Sequence, residues 1–598
     1  MIKVSDYLVK RLEEHGVKDV FLLSGGNMMH MLDSVANSEK INYYCNLNEQ
    51  ASAICADAYA QATRDLAVCM VTAGPGATNA LTGAVNSFID SEPVLVISGQ
   101  AKVSDLVGDS GVRQVGGQEV NIVSMVQCVS KYAVTVKDPL EIKYHIDKAI
   151  YLATHGRKGM VWIDMPLDIQ AARIDETQLI EFDPVKEGLA QEYAVSDEDM
   201  AKVLEFLKEA KRPAILVGKG VVADRAESAI RQIAERLHIP VLATWRAKMV
   251  FADDNPWYFG HPGSPGPRYS NFILQNCDYL LVIGTRLNPA ITAFNDEHFA
   301  FNAKKTIVDI DPNEIKRLKI DFENEIVCSA GVFCNSLNEK TRTIGRVGTD
   351  EWLTYCRDIK QAYPLYKEKQ AFALEYTDMY LFGHKLSKYT KKDDVIVEGS
   401  SGRSCGIIGL SYERSEGQIE IGAMGLGSMG FALPAAIGAS VACGKSRVIT
   451  LEGDGSLQHN LQELALVNGY GIPLKLFVLN NGGYASIAVM QDNHFKSHYV
   501  GCFPNNGVFC CNLKKLAALY DLDYYRIEGD RDVDTILKQI MKDDRPVLCE
   551  VITDYTFDEI PKAKSKINED GTMSSSSLED LFPFLPQDET DKWMRISK

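Results

Sequence analysis

The sequence predicts an α/β protein of three doubly wound domains, each built on a mostly parallel sheet. Short apolar runs such as "PVLVISGQ" and "GMVWIDMP" alternate with segments such as "VSDYLVKRLEEHGV", whose apolar residues recur at helical spacing. Strands that are joined by helices run parallel, and the helices cover both faces of the sheet. The alternation stops and restarts twice along 598 residues, a length that accommodates three or four domains of about 150 residues.

The interruptions predict where the domains begin and end. A charged, irregular stretch at about 171–195 and a polar region at about 337–370 separate the three series of strands and helices. After about residue 562 the sequence becomes polar and low in complexity, as in "KAKSKINEDGTMSSSS". We therefore expect domains at 1–175, 190–340 and 370–560, followed by a tail or lid at 561–598.

Composition excludes several classes of partner. The net charge of −17 argues against a broad surface for nucleic acid or for an anionic membrane. No run approaches the roughly 20 apolar residues of a membrane span, and the charged N-terminus lacks the apolar core of a signal peptide. The 14 cysteines include no C-x-x-C pair, so zinc-site spacing is absent. We expect reduced thiols and a cytoplasmic protein.

Polar clusters follow two strands of the third series. "RVITLEGDG" ends at Asp454, and "LKLFVLNNGGY" ends at Asn480 and Asn481. Between them, Leu457 to Asn468 has apolar residues at helical spacing, so the unit is βαβ and not a hairpin. Both clusters then lie at the carboxyl edge of the sheet, where open α/β sheets bind ligands. Taken alone, Asp-Gly and Asn-Gly are also common turn dipeptides.

The residue types at this edge suit magnesium and a diphosphate. Mg²⁺ prefers oxygen ligands and takes one or two protein groups together with ligand phosphates. Asp454 supplies a carboxylate, Asn481 an amide oxygen, and Gly483 a candidate backbone carbonyl. Gly453 and Gly455, followed by Ser456, allow the backbone to approach a diphosphate closely.

These residues carry a family resemblance. The "GDGS" segment and the following Asn pair resemble the thiamin-diphosphate motif of the pyruvate decarboxylase and acetolactate synthase superfamily. The similarity covers about residues 1–560 and includes "TAGPGATNALTGAVNSFIDSEPVLVISGQ" and "MGLGSMGFALPAAIGA". It implies a pyrimidine-binding domain, a middle domain and a diphosphate-binding domain, in that order. It also implies a homodimer or homotetramer, because the family assembles each active site from two subunits.

The resemblance assigns roles to particular residues. Glu49, in "NEQASAICADAYAQAT", matches the carboxyl group that activates the cofactor through its aminopyrimidine, and Gln118, in "RQVGGQE", matches an active-site glutamine. Met429 matches the residue that holds the cofactor bent, and Gly427 matches the residue whose backbone carbonyl accepts a hydrogen bond from the pyrimidine. The "EGSSG" loop resembles a second diphosphate contact through Gly399, Ser400 and Ser401. The alternative for Glu49 is an acid that stabilises a helix N-terminus.

Candidate substrate residues come from the same loops. Arg113 suits a substrate carboxylate, because arginine pairs with carboxylates in a bidentate manner, and a solvated loop arginine is the alternative. His459 follows the "GDG" and is either a substrate or phosphate contact or a capping histidine. Gly25 and Tyr484 complete the set.

The resemblance thins in two places. Acetolactate synthases carry FAD in the middle domain, but "GTRLNPAITAFNDEHF" departs from their Arg-Phe-Asp-Asp-Arg pattern and "HPGSPGPR" from their Gly-Met-x-Gly turn, which leaves FAD open. After Asn481 the chain reads "GGYASIAVMQDNHF", which is closer to acetolactate-synthase-like proteins of surface-sugar pathways.

These features together indicate a thiamin-diphosphate- and Mg²⁺-dependent carboligase. It would decarboxylate a 2-oxo acid, with pyruvate as the leading candidate. It would then transfer the two-carbon unit to a second pyruvate or to a nucleotide-linked ketosugar. Simple decarboxylation is one alternative. A catalytically silent regulatory subunit is another, against which the joint presence of Glu49, Asp454 and Asn481 argues.

Overall fold

The computed structural model describes residues 1–367, 373–399, 402–567 and 573–594, and it has the predicted α/β architecture. Three parallel sheets follow one another along the chain, each flanked by helices. This confirms the predicted fold class. No helix within those described ranges combines the length and the apolar character that crossing a bilayer requires.

The N-terminal domain contains a six-stranded parallel sheet in the order β3-β2-β4-β5-β7-β6, beside a short antiparallel pair of β1 and β8. Its strands are β1 Ile2–Lys3, β2 Asp19–Leu22, β3 Asn42–Cys45, β4 Ala67–Val71, β5 Val94–Gln100, β6 Ala133–Thr135, β7 Val161–Pro166 and β8 Arg173–Ile174. Its helices are α1 Val4–Glu14, α2 Met29–Ala36, α3 Glu49–Thr63, α4 Pro75–Ile89, α5 Ile122–Val126, α6 Ile142–Thr154 and α7 Leu167–Ala171.

The middle domain has a five-stranded parallel sheet in the order β10-β9-β11-β12-β13. Its strands are β9 Pro213–Val217, β10 Val241–Ala243, β11 Tyr279–Ile283, β12 Lys304–Asp309 and β13 Asn324–Val327. Its helices are α8 Asp197–Glu209, α9 Lys219–Ala223, α10 Glu227–Leu237, α11 Arg268–Asn276, α12 Pro312–Lys316, α13 Ala330–Lys340 and α14 Asp350–Ala362. Helix α14 lies in the polar region that we expected to separate the middle and C-terminal domains. Its Trp352 and Tyr355 are buried in the core of the middle domain.

The C-terminal domain repeats the six-stranded design in the order β15-β14-β16-β17-β19-β18. Its strands are β14 Val395–Glu398, β15 Ile419–Gly422, β16 Val448–Gly453, β17 Leu474–Asn480, β18 Asp523–Ile527 and β19 Val547–Ile552. Its helices are α15 Met379–Ser387, α16 Gly402–Ser411, α17 Ala432–Ala442, α18 Asp454–Leu457, α19 Leu464–Tyr470, α20 Ala485–Phe495, α21 Leu513–Leu519 and α22 Val533–Ile540.

The segment after residue 561 is built from a small antiparallel pair, β20 Ser565–Ile567 with β21 Met573–Ser575, and from helix α23 Gln587–Trp593. It packs on the middle domain. Trp593 is buried in the same core as Trp352, and its carbonyl accepts hydrogen bonds from Tyr355 Oη at 2.8 Å and Asn276 Nδ2 at 3.1 Å.

The first and third domains pack through helices α3 and α17, which share one hydrophobic core. Small residues allow the two backbones to approach closely: a Cβ on Gly438 would overlap the carbonyl of Cys55. The Cys55 thiol in turn donates to the carbonyl of Pro434 at 3.1 Å. Since α3 begins at Glu49, this contact fixes the helix that presents the predicted activating carboxyl group.

Candidate active site

The predicted metal ligands lie side by side at one sheet edge. Strands β16 and β17 are parallel neighbours, with Gly453 in register with Leu479. Asp454 begins α18 directly after β16, and Asn481 directly follows β17. The two side chains therefore leave the carboxyl ends of adjacent strands, as the βαβ pattern predicts.

Three oxygen atoms at this edge are buried without a hydrogen-bond donor among the described residues. They are both carboxylate oxygens of Asp454 and Oδ1 of Asn481. Burial raises the pKa of Asp454 to about 6. Buried acceptors without donors are costly, and a cation would satisfy all three. The arrangement therefore fits a Mg²⁺ ion.

Gly483 and Gly455 are glycines for reasons of space. Gly483 has a φ of +152°, and a Cβ there would overlap the carbonyl of Cys502. A Cβ on Gly455 would lie 2.5 Å from the ring of Tyr484 and 3.3 Å from the carbonyl oxygen of Gly483. The carbonyl of Gly483 and the ring of Tyr484 thus lie next to the residue that follows Asp454.

The Gly427–Gly430 turn is fixed onto the segment after Asp454. Ser456 Oγ accepts a hydrogen bond from the Gly430 N–H at 2.8 Å, and Asn460 Nδ2 donates to the Gly430 carbonyl at 2.8 Å. Gly427 has a φ of +67° and is exposed, while Met429 is half-buried. Met429 is therefore held beside the "GDGS" segment at the edge of the core.

The prediction of one continuous helix from Leu457 to Asn468 is wrong. Helix α18 ends at Leu457, residues 458–460 form a turn, and α19 starts only at Leu464. Asn460 uses its side chain to bind the Gly430 carbonyl, and its φ of −138° is not helical. His459 therefore lies in this turn and not in a helical turn, and its side chain is exposed.

A buried glutamate that no sequence motif indicated makes several contacts at the carboxyl end of β16. Glu452 is fully buried and accepts hydrogen bonds from the N–H groups of Ala432 and Gly453, both at 3.1 Å. A Cβ on Gly399 would lie 2.7 Å from its Oε1. Gly399 is thus packed against β16, whereas Ser400 and Ser401 lie outside the described residues.

A second cluster forms in the N-terminal domain around Glu49. Glu49 is the first residue of α3, after the N-cap Asn48, and its Oε2 accepts a hydrogen bond from Asn79 Nδ2 at 3.0 Å. A Cβ on Gly76 would be 3.4 Å from Oε1. The carboxyl group is half-buried and oriented by helix α4, which carries both Asn79 and Gly76. The sequence pattern gave no signal for Asn79.

Gln118 and Gly25 meet the same turn that faces Glu49. Gly74 has a φ of +61°, and a Cβ there would lie 2.5 Å from the Gln118 carbonyl oxygen. A Cβ on Gly25 would overlap the side chain of Thr72, whose buried hydroxyl has no hydrogen-bond partner among the described residues. The structure thus gathers Gly25, Glu49 and Gln118 around residues 72–76. Arg113 is exposed on the loop that leads to Gln118.

The contacts described for Glu49 come from its own domain. The strand end before it is bound to the C-terminal domain, since Glu463 accepts hydrogen bonds from the Leu47 N–H and from Asn46 Nδ2, both at 3.0 Å. No described hydrogen bond joins Glu49 itself to Asp454. The chain therefore presents two partial sites, one around Glu49 and one around Asp454.

A separate cavity of about 450 Å³ opens at the carboxyl edge of the middle sheet. It is lined by Gly220 after β9, by Arg286 after β11 and by Asp309 at the end of β12. Burial raises the pKa of Asp309 to about 6. Burial also lowers the pKa of His261, another lining residue, whose Nε2 has no hydrogen-bond partner among the described residues.

Comparison with known proteins agrees with this architecture. Residues 2–125 match the N-terminal TPP binding domain of thiamine pyrophosphate enzymes, residues 200–337 the central domain, and residues 402–551 the C-terminal TPP binding domain. The chain is 31% identical over 561 residues to the acetolactate synthase large subunit of Cyanidium caldarium, covering 91% of this chain and 92% of that protein. It is 27% identical over 570 residues to that of Lactococcus lactis, covering 95% of both.

Three such domains, in this order, define a thiamin-diphosphate-dependent enzyme. The chain belongs to the acetolactate-synthase-like family of these enzymes. The family's chemistry, decarboxylation followed by carboligation, is the activity that the comparisons support.

Proposed function

We propose that this protein decarboxylates pyruvate with thiamin diphosphate and Mg²⁺ and transfers the two-carbon unit to a carbonyl acceptor. The observation that carries the proposal is the set of three buried oxygens, on Asp454 and Asn481, that have no donor among the described residues. A Mg²⁺ ion, held also by a bound diphosphate, would supply the missing positive charge. The Gly483 carbonyl is the proposed third ligand, and Gly453, Gly455 and Ser456 are the proposed diphosphate contacts.

Thiamin diphosphate, when bound, supplies a carbon nucleophile and an electron sink for decarboxylation. Glu49 would hydrogen-bond the cofactor's aminopyrimidine and so promote its activation, and Asn79 orients the Glu49 carboxyl group through the 3.0 Å hydrogen bond. Met429 and Gly427 support and bind the pyrimidine end. Gly399, with Ser400 and Ser401, extends the diphosphate contacts. Gln118 and Gly25 contact the substrate side, together with Tyr484, Arg113 and His459.

We propose a homodimer or homotetramer in which the Glu49 cluster of one subunit faces the Asp454 cluster of another. Two features support this arrangement: the described contacts of Glu49 come from its own domain, and apolar side chains are exposed near both clusters. Leu47 is 52% exposed beside Glu49, and Met490 is 47% exposed on the helix that follows Asn481. An isologous dimer would cover such surfaces and complete two equivalent sites.

We propose the middle-domain cavity as the place where FAD would bind. Its position at the carboxyl ends of β9, β11 and β12 is typical of nucleotide sites in doubly wound sheets. Arg286 faces the cavity with no ion-pair partner among the described residues, and Asp309 supplies an acid at a strand end, as ribose binding requires. Absorbance of the purified protein near 450 nm tests this directly.

The acceptor remains the least constrained partner. The residues that follow Asn481 include the small side chains of Gly, Ala and Ser. A pocket lined by small residues favours a larger polyhydroxylated acceptor. The leading candidate is a nucleotide-linked ketosugar, and a second pyruvate is the alternative. Helix α20 exposes Ser486, but it also exposes Ile487 and Met490. The surface beside the metal site is therefore mixed in polarity, with room for both polar and apolar contacts.

Two other functions are weighed against this one. A simple 2-oxo acid decarboxylase needs the same groups and differs only in the fate of the two-carbon unit. A silent regulatory subunit would not need Glu49, Asp454 and Asn481 together. We place the enzyme in the cytoplasm, where the 14 cysteines, which form no disulfide in the described structure, would remain reduced.

The test is to incubate the protein with pyruvate, thiamin diphosphate and Mg²⁺, with each acceptor alone and both together, and to identify products by mass. We expect CO₂ release and an adduct on the ketosugar, with acetolactate as a minor product. Efficient acetolactate formation with no sugar adduct would reject the larger acceptor. Acetaldehyde alone would indicate the simple decarboxylase, and no turnover the silent subunit. Asp454→Ala is the control that should retain no cofactor.

A further inference from the structure

The loop that carries Gln118 has little regular structure to hold it. Residues 106–121, all described, form neither helix nor strand, and a stretch of this length without secondary structure is typical of functional loops. Gln118 has a φ of +63°, a left-handed conformation that is unfavourable for a non-glycine residue. Something in the loop must therefore hold Gln118 in this strained conformation.

The neighbouring residue, Glu119, makes the contacts that hold the loop. Its side chain is only 5% exposed, although Gln118 beside it is exposed. Its Oε1 accepts a hydrogen bond from the Val107 N–H at 2.5 Å, and its Oε2 accepts one from the Val115 N–H at 3.1 Å. One carboxylate thus binds the loop backbone at two positions, Val107 and Val115. A hydrogen bond to a charged acceptor is stronger than one between neutral groups.

Two further hydrogen bonds fix the backbone on the C-terminal side of Gln118. Gln114 Nε2 donates to the Glu119 carbonyl at 3.0 Å, and Gln100 Nε2 donates to the Val120 carbonyl at 2.9 Å. Gln100 is itself bound to the buried carboxylate of Asp164 at 3.1 Å. On the other side, the Gln118 carbonyl lies against Gly74, where no side chain could fit. Gln118 is therefore held between the loop and the turn that faces Glu49.

We propose that Glu119 is a positioning residue that acts through Gln118 and not on the substrate itself. Its buried carboxylate holds the Gln118 backbone against the 74–76 turn, and so places the Gln118 side chain for the reacting substrate. This rests on the proposed function, in which Gln118 lies in the active site. A small displacement of a positioned group can lower a rate by about 100-fold, so loss of the carboxylate should be felt in catalysis.

The test is a double-mutant cycle with Glu119→Gln, Gln118→Ala and the double variant. An amide has one acceptor and one donor atom, so Glu119→Gln would set its NH₂ group against one of the two backbone N–H donors. We expect kcat/KM for pyruvate to fall about 10- to 100-fold in each single variant. If Glu119 acts only through Gln118, the double variant should be no slower than Gln118→Ala. Thiamin diphosphate affinity should stay within about twofold of the wild type.

A milder variant guards against misfolding. Gln114 is exposed, so the Gln114→Ala variant should fold normally while it loses one of the hydrogen bonds that hold the loop. It should lower kcat/KM less than Glu119→Gln does. In the Gln118→Ala background, Gln114→Ala should leave kcat/KM unchanged. The matched control is Glu579→Gln, which removes a carboxylate that binds Gln275 and His298 far from this loop and should leave kcat/KM unchanged.

Three results would overturn the proposal while leaving the enzyme assignment intact. They are multiplicative losses in the double variant, a fall in thiamin diphosphate affinity in Glu119→Gln, and a lowered thermal midpoint with normal kcat/KM. A wild-type protein that releases no CO₂ from pyruvate would instead reject the proposed function on which the inference rests.

Discussion

At the scale of single residues, Asp454 combines the need for a charge with the cost of burying one. It is 2% exposed, and its carboxylate has no donor among the described residues. Burial raises its pKa to about 6 in the folded chain, above the value of about 3.9 in an unfolded chain. The folded protein therefore binds this proton more tightly than the unfolded one, and the stability of the metal-free protein falls as pH rises between these two values.

Asp454→Asn removes this titration and should stabilise the metal-free protein. In EDTA, the variant should unfold at a temperature close to that of the wild type near pH 4. Above about pH 7 it should unfold at a higher temperature, because the wild type there bears a cost of up to about 3 kcal/mol. Thermal scans at several pH values check this. Mg²⁺ with thiamin diphosphate should reverse the order, and equal midpoints across the whole pH range would refute a buried, metal-seeking carboxylate.

Glu49→Gln tests the second residue of the site. The amide keeps the shape but cannot transfer a proton, so exchange of the C2 proton of bound thiamin diphosphate should slow by about 10²-fold or more. The exchange is measured by NMR after rapid acid quench. Glu227→Gln is the matched control, because Glu227 also opens a helix, α10. If the C2 proton of thiamin diphosphate exchanged at the wild-type rate in Glu49→Gln, Glu49 would be only an acid that stabilises a helix N-terminus.

At the scale of elements, the site edge was predictable and its lining was not. The positions of Asp454 and Asn481 follow from a strand–helix–strand pattern, which is local in sequence. The break in the helix at Asn460 depends on the Gly430 carbonyl, 30 residues away. Asn79, Glu452 and Glu119 matter because of tertiary partners, and no spacing rule identifies such partners. Such tertiary partners become visible only in the folded chain.

Helix α23 offers an element-scale prediction about the tail. Trp593 is 8% exposed within the middle-domain core, so Trp593→Ala should destabilise that domain by about 3–5 kcal/mol. Trp593→Phe, which keeps most of the buried ring, should cost much less. Thermal unfolding together with limited proteolysis of residues 561–598 measures both effects. A freely opening lid would instead show a wild-type midpoint in Trp593→Ala.

At the scale of the whole molecule, we propose that the Glu49 and Asp454 clusters meet across a subunit interface. The N-terminal and C-terminal domains of one chain are joined through α3 and α17, which share one hydrophobic core. The described hydrogen bonds leave Glu49 and Asp454 unconnected. The proposed assembly makes each active site from the Glu49 cluster of one subunit and the Asp454 cluster of the other, so activity and oligomerisation should be lost together on dilution.

Complementation between two inactive variants tests this account most directly. Glu49→Gln and Asp454→Ala subunits, carrying different affinity tags, are co-expressed, and the mixed dimer is isolated by sequential purification. If each site is shared, one site of the mixed dimer carries both substitutions and the other carries neither. CO₂ release from pyruvate should then reach about half the wild-type rate per dimer, while each variant alone stays inactive. An inactive mixed dimer would contradict a shared site built on Glu49 and Asp454, because two unshared sites would each carry one of the two substitutions.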